Sequence, residues 1–469
     1  MGGIFNLFRN EVNALIGNKQ AFGELIAVGD ISRAKRYMED YSLRVSEAMM
    51  EYDVNTHKIN SRENKIIFDK KGRRVRVQEQ WKIPIPFQVK INELATSFMF
   101  SRAPTITQRS EGTDQIFEAV QQVMEETRFE SKLKQCKSLA GSETMCAKLY
   151  YLYKDPSTKI VELKSKILAT SFGDELRPMR DINQHMISFG HGYTINTASG
   201  TQEYFDIYTK YIICRCKKSS FGWDVKIENN IMEVIPIILY EQEKEWDGTE
   251  PIINRIEYIV STTADINDYF ASPAVVADKA TINNMPEKDA VGKLYISDNP
   301  DAVKYLTWDS MPENKKHEYA TLKELLYSMT STPDISFDNI KALGNIPSGK
   351  ALEFFFMDAL FKAKNRRDDW AVYIDRDYKV VAAIIGNVTN IALKQQANKL
   401  RVNKEFHDPL PEDISAKLKD LCDAVDSRIL SYESGVEKNP LVSDHKRELE
   451  RLKKEDEEYQ RRNVFEVSE

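Results

Sequence analysis

The sequence lacks any long hydrophobic run. Across 469 residues, no stretch of apolar residues continues uninterrupted for the roughly 18 positions that a membrane-spanning helix needs. The first nine residues, Met1-Gly2-Gly3-Ile4-Phe5-Asn6-Leu7-Phe8-Arg9, also lack the apolar segment of a secretory signal peptide. We therefore expect neither membrane insertion nor export by that route.

Cysteine and histidine are both scarce. Five cysteines, an odd number, do not form a dense disulfide framework, which indicates folding in a reducing compartment. Cys214 and Cys216 form a Cys-x-Cys pair, but no second Cys or His pair stands at zinc spacing, so we place both thiols on one strand face. His185 and His191 are interpreted as surface or satisfied core residues of a β hairpin. No metal site is predicted.

The sequence has no excess of positive charge. Its 66 Lys and Arg residues stand against 72 Asp and Glu residues, a net charge of −6, which excludes a protein that coats nucleic acid through bulk charge. The apolar share of 42% and the charged share of 29% are those of a folded globular chain. The length predicts two to four domains.

Two kinds of hydrophobic period alternate along the chain. A period of two, rich in Tyr and Ile, predicts an antiparallel β region from about Thr144 to Tyr240. A helical period or a start signal predicts helices at 32–50, 86–102, 114–140, 250–270, 318–329, 348–400, 414–429 and 444–462. Short strands are predicted at 291–296 and 303–306, and the basic stretch at 70–74 is interpreted as a solvated hairpin tip.

One string resembles a phosphate-binding loop. Gly344-Asn345-Ile346-Pro347-Ser348-Gly349-Lys350-Ala351 has the spacing G-x-x-x-x-G-K, but Ala351 stands where a magnesium-binding hydroxyl is required. No buried strand precedes it, so the favoured interpretation is a helix start capped by Ser348. No nucleophile elbow or dinucleotide fingerprint is present. We predict no catalytic residue, no enzymatic activity and no cofactor.

The order of elements resembles the portal proteins of tailed bacteriophages, in particular the group typified by the portal of phage SPP1. The resemblance covers about residues 80–460 and is most detailed at 250–370 and 405–460. A P-S-G-x-A-L string before a long helix is a family hallmark, and it stands here at Pro347–Leu352. Two departures are Ser101-Arg102-Ala103-Pro104 in place of Gly-Lys-Pro and Ser434 in place of a threonine.

The resemblance implies an α+β portal fold. Its divisions would be an N-terminal region and wing (1–250), a stem helix (251–284), a small α/β clip (285–318), a second stem helix (319–331), a tunnel loop (332–347), a long wing helix and return (348–404) and a helical crown (405–469). The role of residues 1–80 is not assigned.

The resemblance also implies a function and partners. The chain would form a cyclic homo-oligomer, typically a dodecamer, at one vertex of the virion capsid and be assembled in the host bacterial cytoplasm. Double-stranded DNA would pass through the channel. The terminase, the major capsid protein, head-completion or adaptor proteins and tail proteins would be its partners, without a membrane.

Two sets of site residues follow from these divisions. The long loop between the second stem helix and the long helix would face DNA through Phe337, Ile340 and Lys341. The clip would dock partners through its exposed charges, which include Lys288, Asp289, Asp298 and Asp301.

Two alternatives to the DNA conduit stay open at this point. One is an unrelated structural or interaction protein, and the other is a nucleotide-binding enzyme that uses the string at 344–351. Closed rings of many subunits would favour the conduit, whereas a monomer that hydrolyses ATP would favour the enzyme.

Overall fold

The computed structural model describes residues 22–68, 71–154, 156–157, 161–197, 200–270, 274–277, 303–306, 312–335, 354–409, 414–442 and 445–466. The chain divides into two compact units. The larger unit comprises Met1–Asp334 and Asp358–Asp408, and the smaller comprises Ile335–Met357 and Pro409–Glu469.

Helices and strands both contribute to the described chain. The helices are α1 (Phe22–Ala27), α2 (Ile31–Ala34), α3 (Ser42–Tyr52), α4 (Phe87–Phe100), α5 (Asp114–Glu126), α6 (Phe129–Glu143), α7 (Glu250–Phe270), α8 (Pro312–Met329), α9 (Met357–Ile384), α10 (Lys394–Lys399), α11 (Ile414–Asp426), α12 (Tyr432–Glu437) and α13 (His445–Glu466). The strands are β1 (Lys65–Phe68), β2 (Arg74–Gln78), β3 (Thr105–Gln108), β4 (Met145–Lys154), β5 (Val161–Leu168), β6 (Glu175–Arg180), β7 (Met186–Thr197), β8 (Gly200–Thr209), β9 (Ile212–Ser219), β10 (Gly222–Asn229), β11 (Ile237–Glu241), β12 (Ala274–Ala277), β13 (Val303–Leu306) and β14 (Val402–Glu405). This mixture confirms the predicted α+β class.

The β region is antiparallel, as predicted. Five strands form one sheet in the order β10-β9-β8-β7-β6, and three form a second in the order β11-β4-β5. The remaining described strands pair as β1-β2, β12-β13 and β14-β3. Tyr, Ile and Val residues favour this region because their side chains pack well on a pleated surface.

Three apolar clusters organise the larger unit. The largest joins the three-stranded sheet to α5, α6 and α9, with Tyr150, Tyr240 and Trp370 fully buried. A second packs α1 and α2 on the five-stranded sheet, where Cys214 and Cys216 are buried on one strand face, as predicted. The third, which joins α4, α7 and α8, is the one that positions the candidate site.

The predicted helix at 32–50 is wrong, because the chain leaves the helical path before α3. A single 3₁₀ turn, Lys35–Tyr37, follows α2, and Met38 is extended. The Glu39 N–H then donates to the Pro178 carbonyl in β6 at 2.9 Å. The Asp40 carboxylate accepts the Ser42 N–H at 3.0 Å as α3 begins. Hydrogen bonding to a distant strand therefore overrides the local helical period.

The predicted helix at 114–140 is two helices. Arg128 adopts the left-handed conformation, with φ of 54°, between α5 and α6. The change of direction brings Phe129 into the core, where its ring meets Tyr378 edge to face with centroids 5.9 Å apart. Burial of an aromatic side chain offsets the cost of the unusual backbone conformation.

The long helix predicted at 348–400 is observed as α9, and residues 348–353 lie outside the described residues. After Ile384 the backbone widens into one π turn, Ile385–Thr389, and Asn390 is extended. A Cβ on Gly386 would lie only 3.0 Å from Lys394 Cα, so glycine permits the close packing of α10. The prediction of a continuous helix to Leu400 is therefore wrong.

The helices predicted at 250–270 and 318–329 are both observed. The helix at 250–270 is α7, and the second helix is α8, which begins at Pro312 rather than Glu318. The predicted strand at 303–306 is β13, and its partner is β12. The predicted strand at 291–296 lies outside the described residues. No described helix is both long enough and apolar enough to cross a membrane.

The smaller unit contains α11, α12 and α13. The predicted helix at 414–429 ends at Asp426, and Arg428 takes a left-handed turn with φ of 56°. The Ser431 hydroxyl accepts the Ser434 N–H at 3.2 Å and thereby caps α12. Lys453 of α13 pairs with Glu433 of α12 at 2.9 Å. The charged tail helix predicted at 444–462 is confirmed as α13.

Candidate functional site

The site residues predicted from sequence lie outside the described residues. This applies to Phe337, Ile340 and Lys341 of the predicted tunnel loop, to Lys288, Asp289, Asp298 and Asp301 of the predicted clip, and to Lys350. The structure does describe the chain on both sides of the predicted loop, up to Ile335 and again from Phe354. The candidate site is built from described segments of the larger unit before and after this loop, residues 330–332 and α9 from Asp358 onward.

A helix cap ends α8 at the start of the predicted loop. Ser331 is left-handed, with φ of 52°, so its N–H reaches the Ser328 carbonyl at 3.1 Å. The Thr332 N–H bonds the Tyr327 carbonyl at 2.8 Å, which completes a Schellman-type ending. The Thr330 and Thr332 hydroxyls lie 2.9 Å apart and are buried. The chain therefore leaves α8 in one defined direction.

Lys362 links the segment before the predicted loop to the helix that follows it. It lies on α9, the helix that follows the loop, and its Nζ donates to the Thr330 carbonyl at 3.0 Å. The same Nζ donates to the Glu245 carbonyl at 3.2 Å and lies 2.7 Å from Glu245 Oε2. The first residue of the α8 cap, the start of α9 and the β11–α7 connection thus meet at one ammonium group.

Glu245 forms the buried centre of this junction. Its second carboxylate oxygen pairs with Lys137 of α6, and the side chains of both residues are only 1% exposed. Gln242 completes the arrangement by donating to Glu245 Oε1 at 2.8 Å while its own carbonyl oxygen accepts from Lys137 at 3.0 Å. We call Lys137, Gln242, Glu245 and Lys362 the loop-base clamp.

Two cations control the ionisation of Glu245. Burial alone would raise the pKa of its carboxyl group, but the charges of Lys137 and Lys362 outweigh burial and hold the pKa well below its usual range. Glu245 is therefore ionised at neutral pH. Truncating such a carboxylate would leave the ammonium group of Lys137 buried without its counter-charge.

An extended segment is strapped along α7. The N–H groups of Trp81, Ile83 and Ile85 donate to Asp265 Oδ1, Ser261 Oγ and Glu257 Oε1 at 2.8, 3.0 and 2.8 Å. Side chains four residues apart on a helix are separated by about 6 Å along its axis, and alternate N–H groups of an extended segment are separated by about 6.6 Å, so the two spacings match. The polar side chains of α7 therefore accept the hydrogen bonds that a neighbouring strand would otherwise accept. We call residues 81–85 the strap.

Further contacts fix both ends of the strap. At one end, Arg62 lies 2.7 Å from Asp265 Oδ2, and the Trp81 indole N–H donates to Asp268 at 2.5 Å. At the other end, Glu257 Oε1 also meets His57 Nδ1 at 2.6 Å, with both side chains buried. The strap therefore couples the chain before α4 to the predicted stem helix.

The buried pair gives His57 a raised pKa. Burial alone would lower the pKa of this imidazole, but the hydrogen bond and charge of Glu257, with smaller contributions from the Glu51 backbone and the Asp53 charge, raise it above its ordinary value. The His57–Glu257 pair therefore makes its full contribution to the free energy of unfolding below about pH 6.5. This contribution is lost as the pH rises through the folded-state pKa of His57.

We predict that Glu257→Gln flattens this pH dependence, because a neutral amide cannot favour the imidazolium. Wild type should be more stable than the variant by about 1–3 kcal/mol at pH 5.5–6, and the difference should shrink towards pH 8.5. Thermal unfolding followed at several pH values measures it. His185→Gln, at a histidine whose side chain is 78% exposed, is the matched control and should leave the profile unchanged. A pH-independent difference would contradict the assignment.

Sequence reasoning missed the clamp but could have found the strap. Lys137, Glu245 and Lys362 are far apart in the chain, and no local pattern connects them. Glu257, Ser261 and Asp265 stand at i, i+4 and i+8 in a helix whose other face is apolar. A regular polar stripe of this kind predicts a partner along the helix.

The structure describes both candidate ligand pairs that were weighed from sequence. His191 is buried and lies 2.7 Å from Asp174, whereas His185 is exposed at the β6–β7 turn. Burial raises the pKa of the Cys216 thiol to about 12, a value typical of an inert structural cysteine. Among the described residues, no group of three or more His, Cys, Asp or Glu side chains could hold a metal ion.

Comparison with known proteins gives one match to a family and several to solved structures. The family described as "Phage portal protein, SPP1 Gp6-like" matches residues 33–462. No curated protein matches the sequence. Among solved structures, the neck of an empty gene transfer agent (GTA) particle, computed with C6 symmetry, is 7% identical with a TM-score of 0.39, covering 78% of this chain and 89% of that one.

Two further solved structures are similar at the same level. The neck of a native GTA particle, computed with C12 symmetry, is 9% identical with a TM-score of 0.39, over 75% of this chain and 89% of that one. A chain of the native GTA virion is 8% identical with a TM-score of 0.37, over 87% of this chain and 91% of that one.

Proposed function

Because this chain belongs to the SPP1 Gp6-like family of phage portal proteins, we propose that its copies form a ring-shaped DNA channel at one vertex of a phage-like capsid. The terminase would package the genome through this channel, and the genome would later be ejected through it. The observation that carries the proposal is the family match, which spans residues 33–462 and therefore includes α7, α8 and the loop-base clamp.

The geometry of the larger unit supports a conduit. Helices α7 and α8, of 21 and 18 residues, would extend about 31 and 27 Å. They share an apolar core and an ion pair between Arg255 and Glu318 at 2.7 Å. The net charge of −6 suits a channel that must not grip the phosphates passing through it.

The proposed divisions follow the family resemblance. Residues 1–250 would form the N-terminal region and wing, 251–284 and 319–331 the stem, 285–318 the clip, 332–347 the tunnel loop, 348–404 the long wing helix and return, and 405–469 the crown. In this arrangement the loop-base clamp would join the segments before and after the tunnel loop, and the strap would tie the wing to the stem.

The proposed assembly is a closed homo-oligomer, typically of twelve copies, in the virion. It would be assembled in the host cytoplasm with the major capsid protein, and head-completion or adaptor proteins and tail proteins would dock after packaging. A head-to-tail interface closes into a ring when the rotation that relates neighbouring subunits is a whole-number fraction of a full turn. We propose no catalytic role for the chain.

A packaging assay tests this function directly. Proheads assembled with and without the chain are given terminase, ATP and linear double-stranded DNA, and nuclease-protected DNA is measured. Protection that depends on the chain is the expected result. Equal protection in proheads that lack it would contradict the proposal.

We predict that Lys350 binds no nucleotide, because Ala351 supplies no hydroxyl for magnesium. Titration calorimetry with ATP and magnesium should show no heat for wild type or Lys350→Ala. Ala351→Ser is the sharper companion, since it restores the missing hydroxyl and should still create no ATPase activity. Micromolar binding that Lys350→Ala abolishes would instead favour the enzyme alternative.

We predict that partner docking lies on the clip. Replacing its tip, including Asp298 and Asp301, with a Gly-Ser linker should leave ring assembly intact and abolish the binding of terminase or adaptor. Co-sedimentation with each partner measures the binding, and electron microscopy checks the rings. Loss of the rings themselves would place this segment in the subunit interface.

A further inference from the structure

The hairpin formed by β1 and β2 carries large apolar side chains exposed to solvent. Ile66 is 44% exposed, Phe68 59% and Val75 65%. Every residue of β1 is exposed, and so is most of β2. An isolated two-stranded hairpin is marginally stable in water because it buries little apolar surface. Such a hairpin gains stability when another surface covers it.

Cations are interleaved with these apolar residues. In the register of the hairpin, Ile66 lies opposite Val77, Ile67 opposite Arg76 and Phe68 opposite Arg74, with an irregularity after Ile67. Lys65, Arg74 and Arg76 are all exposed. Successive side chains of a strand point to opposite faces, so Phe68 shares a face with Arg74, whereas Ile67 shares the other face with Arg76. Each face is therefore apolar with a positive charge, and its best complement is apolar with negative charge.

The base of the hairpin is held in place. The strap begins three residues after β2 ends, and Arg62, three residues before β1, pairs with Asp265 of α7 at 2.7 Å. The Gln80 N–H also donates to Asn64 Oδ1 at 3.2 Å across the base. The hairpin is therefore a projecting arm with a fixed root on the predicted stem helix.

A surface with the complementary character lies on α9 of the same chain. Asp358, Phe361, Asn365, Asp368 and Val372 recur at spacings of three and four, and all are exposed. Phe361 is 52% exposed and Val372 is 64% exposed. Asp369 flanks this row, and Lys364 is the one exposed cation beside it within residues 358–372. We call the row the α9 stripe.

We propose that the β1–β2 arm of one subunit docks on the α9 stripe of a second copy of this chain. The inference rests on the proposed ring, because a heterologous interface joins two different patches of identical subunits. Apolar contacts involving Phe68, Phe361 and Val372 form its centre. Arg74, which shares the face of Phe68, meets the stripe's aspartates, and the apolar residues around it favour a protein surface over the phosphates of DNA.

Site-specific photo-crosslinking of the full chain tests the contact. Phe68 is replaced by p-benzoylphenylalanine, ¹⁵N-labelled and unlabelled chains are mixed and assembled, and crosslinked peptides are identified by mass spectrometry. The expected product joins Phe68 of one chain to a peptide within 358–372 of the other. The matched control places the same probe at Phe221, which is fully exposed at the β9–β10 turn and should give no such product.

Other crosslinking products overturn the proposal. An intramolecular product, a product with residues 1–21, or a product with a different element of the second chain would each show that another surface covers the arm. A Phe68 probe that crosslinks no more than the Phe221 probe would show that nothing covers it.

Charge reversal with rescue provides an independent test. Arg74→Glu should raise the protein concentration needed for half assembly by about tenfold, because like charges then meet across the interface. Adding Asp368→Arg should restore assembly to within about twofold of wild type. Lys217→Glu makes the same charge change at an exposed cation on β9 and should have little effect.

The outcomes separate this inference from the proposed function. If wild type forms no ring, the proposed function fails. If rings form but neither the crosslink nor the rescue occurs, only the docking of the arm on the stripe fails. If the reversed arm assembles normally but retains less DNA, the arm contacts DNA rather than a second copy, and the inference is overturned.

Discussion

Glu245→Gln is expected to lower the free energy of unfolding of the larger unit by about 3–5 kcal/mol. The substitution leaves Lys137 fully buried without its counter-charge and weakens the hold of Lys362 on Thr330. Chemical denaturation followed by tryptophan fluorescence measures the loss, since Trp246 and Trp370 lie in the affected cores.

Glu203→Gln is the matched control for this prediction. It makes the same chemical change in an exposed ion pair with Lys218, where the side chains are about half exposed. Exposed pairs contribute little, so the expected change is below about 1 kcal/mol. Equal effects of the two substitutions would show that the clamp does not stabilise the protein.

The clamp also has a pH signature. The folded-state pKa of Glu245 is depressed, so its contribution is complete above its ordinary value near 4.5 and is lost as the pH falls below it. The stability difference between wild type and Glu245→Gln should therefore be constant from pH 6 to 8 and shrink below pH 4.5. A difference that grows on acidification would contradict this sign.

Phe337→Ala with Lys341→Glu is expected to reduce packaging and DNA retention by about tenfold while rings still form. A charge reversal repeated in every subunit turns weak phosphate attraction into repulsion along the channel. The nuclease-protection assay measures packaging, and electron microscopy confirms the rings. Lys217→Glu, at an exposed lysine on β9, serves as the control charge reversal outside the loop and the clip.

The outcome of this experiment locates the loop. Normal packaging and retention in the double variant, with normal rings, would show that Phe337 and Lys341 do not face DNA. The segment would then be a loop ordered by packing between subunits.

The parts of the fold that depend on local sequence were predictable. The spacing of apolar residues in α7 predicts a helix with one buried face, and the alternating Tyr and Ile residues of β4 to β11 predict strands. The helix and the strands are both observed. The cap of α12 at Ser431 belongs to the same class, since a serine before a short helix satisfies its free N–H groups locally.

The parts that depend on tertiary contacts were not predictable. The segment between α2 and α3 leaves the helical path because Glu39 bonds to a strand about 140 residues later in the chain. Arg128 turns left-handed so that Phe129 enters the core. The clamp unites Lys137, Glu245 and Lys362, and nothing in the surrounding sequence marks them as partners. The placement of Phe337, Ile340 and Lys341 stays a prediction, since they lie outside the described residues.

The central claim is that copies of this chain close into a ring around a channel. Electron microscopy of the purified full-length protein, with class averages viewed along the symmetry axis, tests it most directly. The account predicts closed rings, typically of twelve subunits, with a central opening wide enough for a DNA duplex. Monomers, dimers or open filaments across a range of protein concentrations and ionic strengths would contradict it.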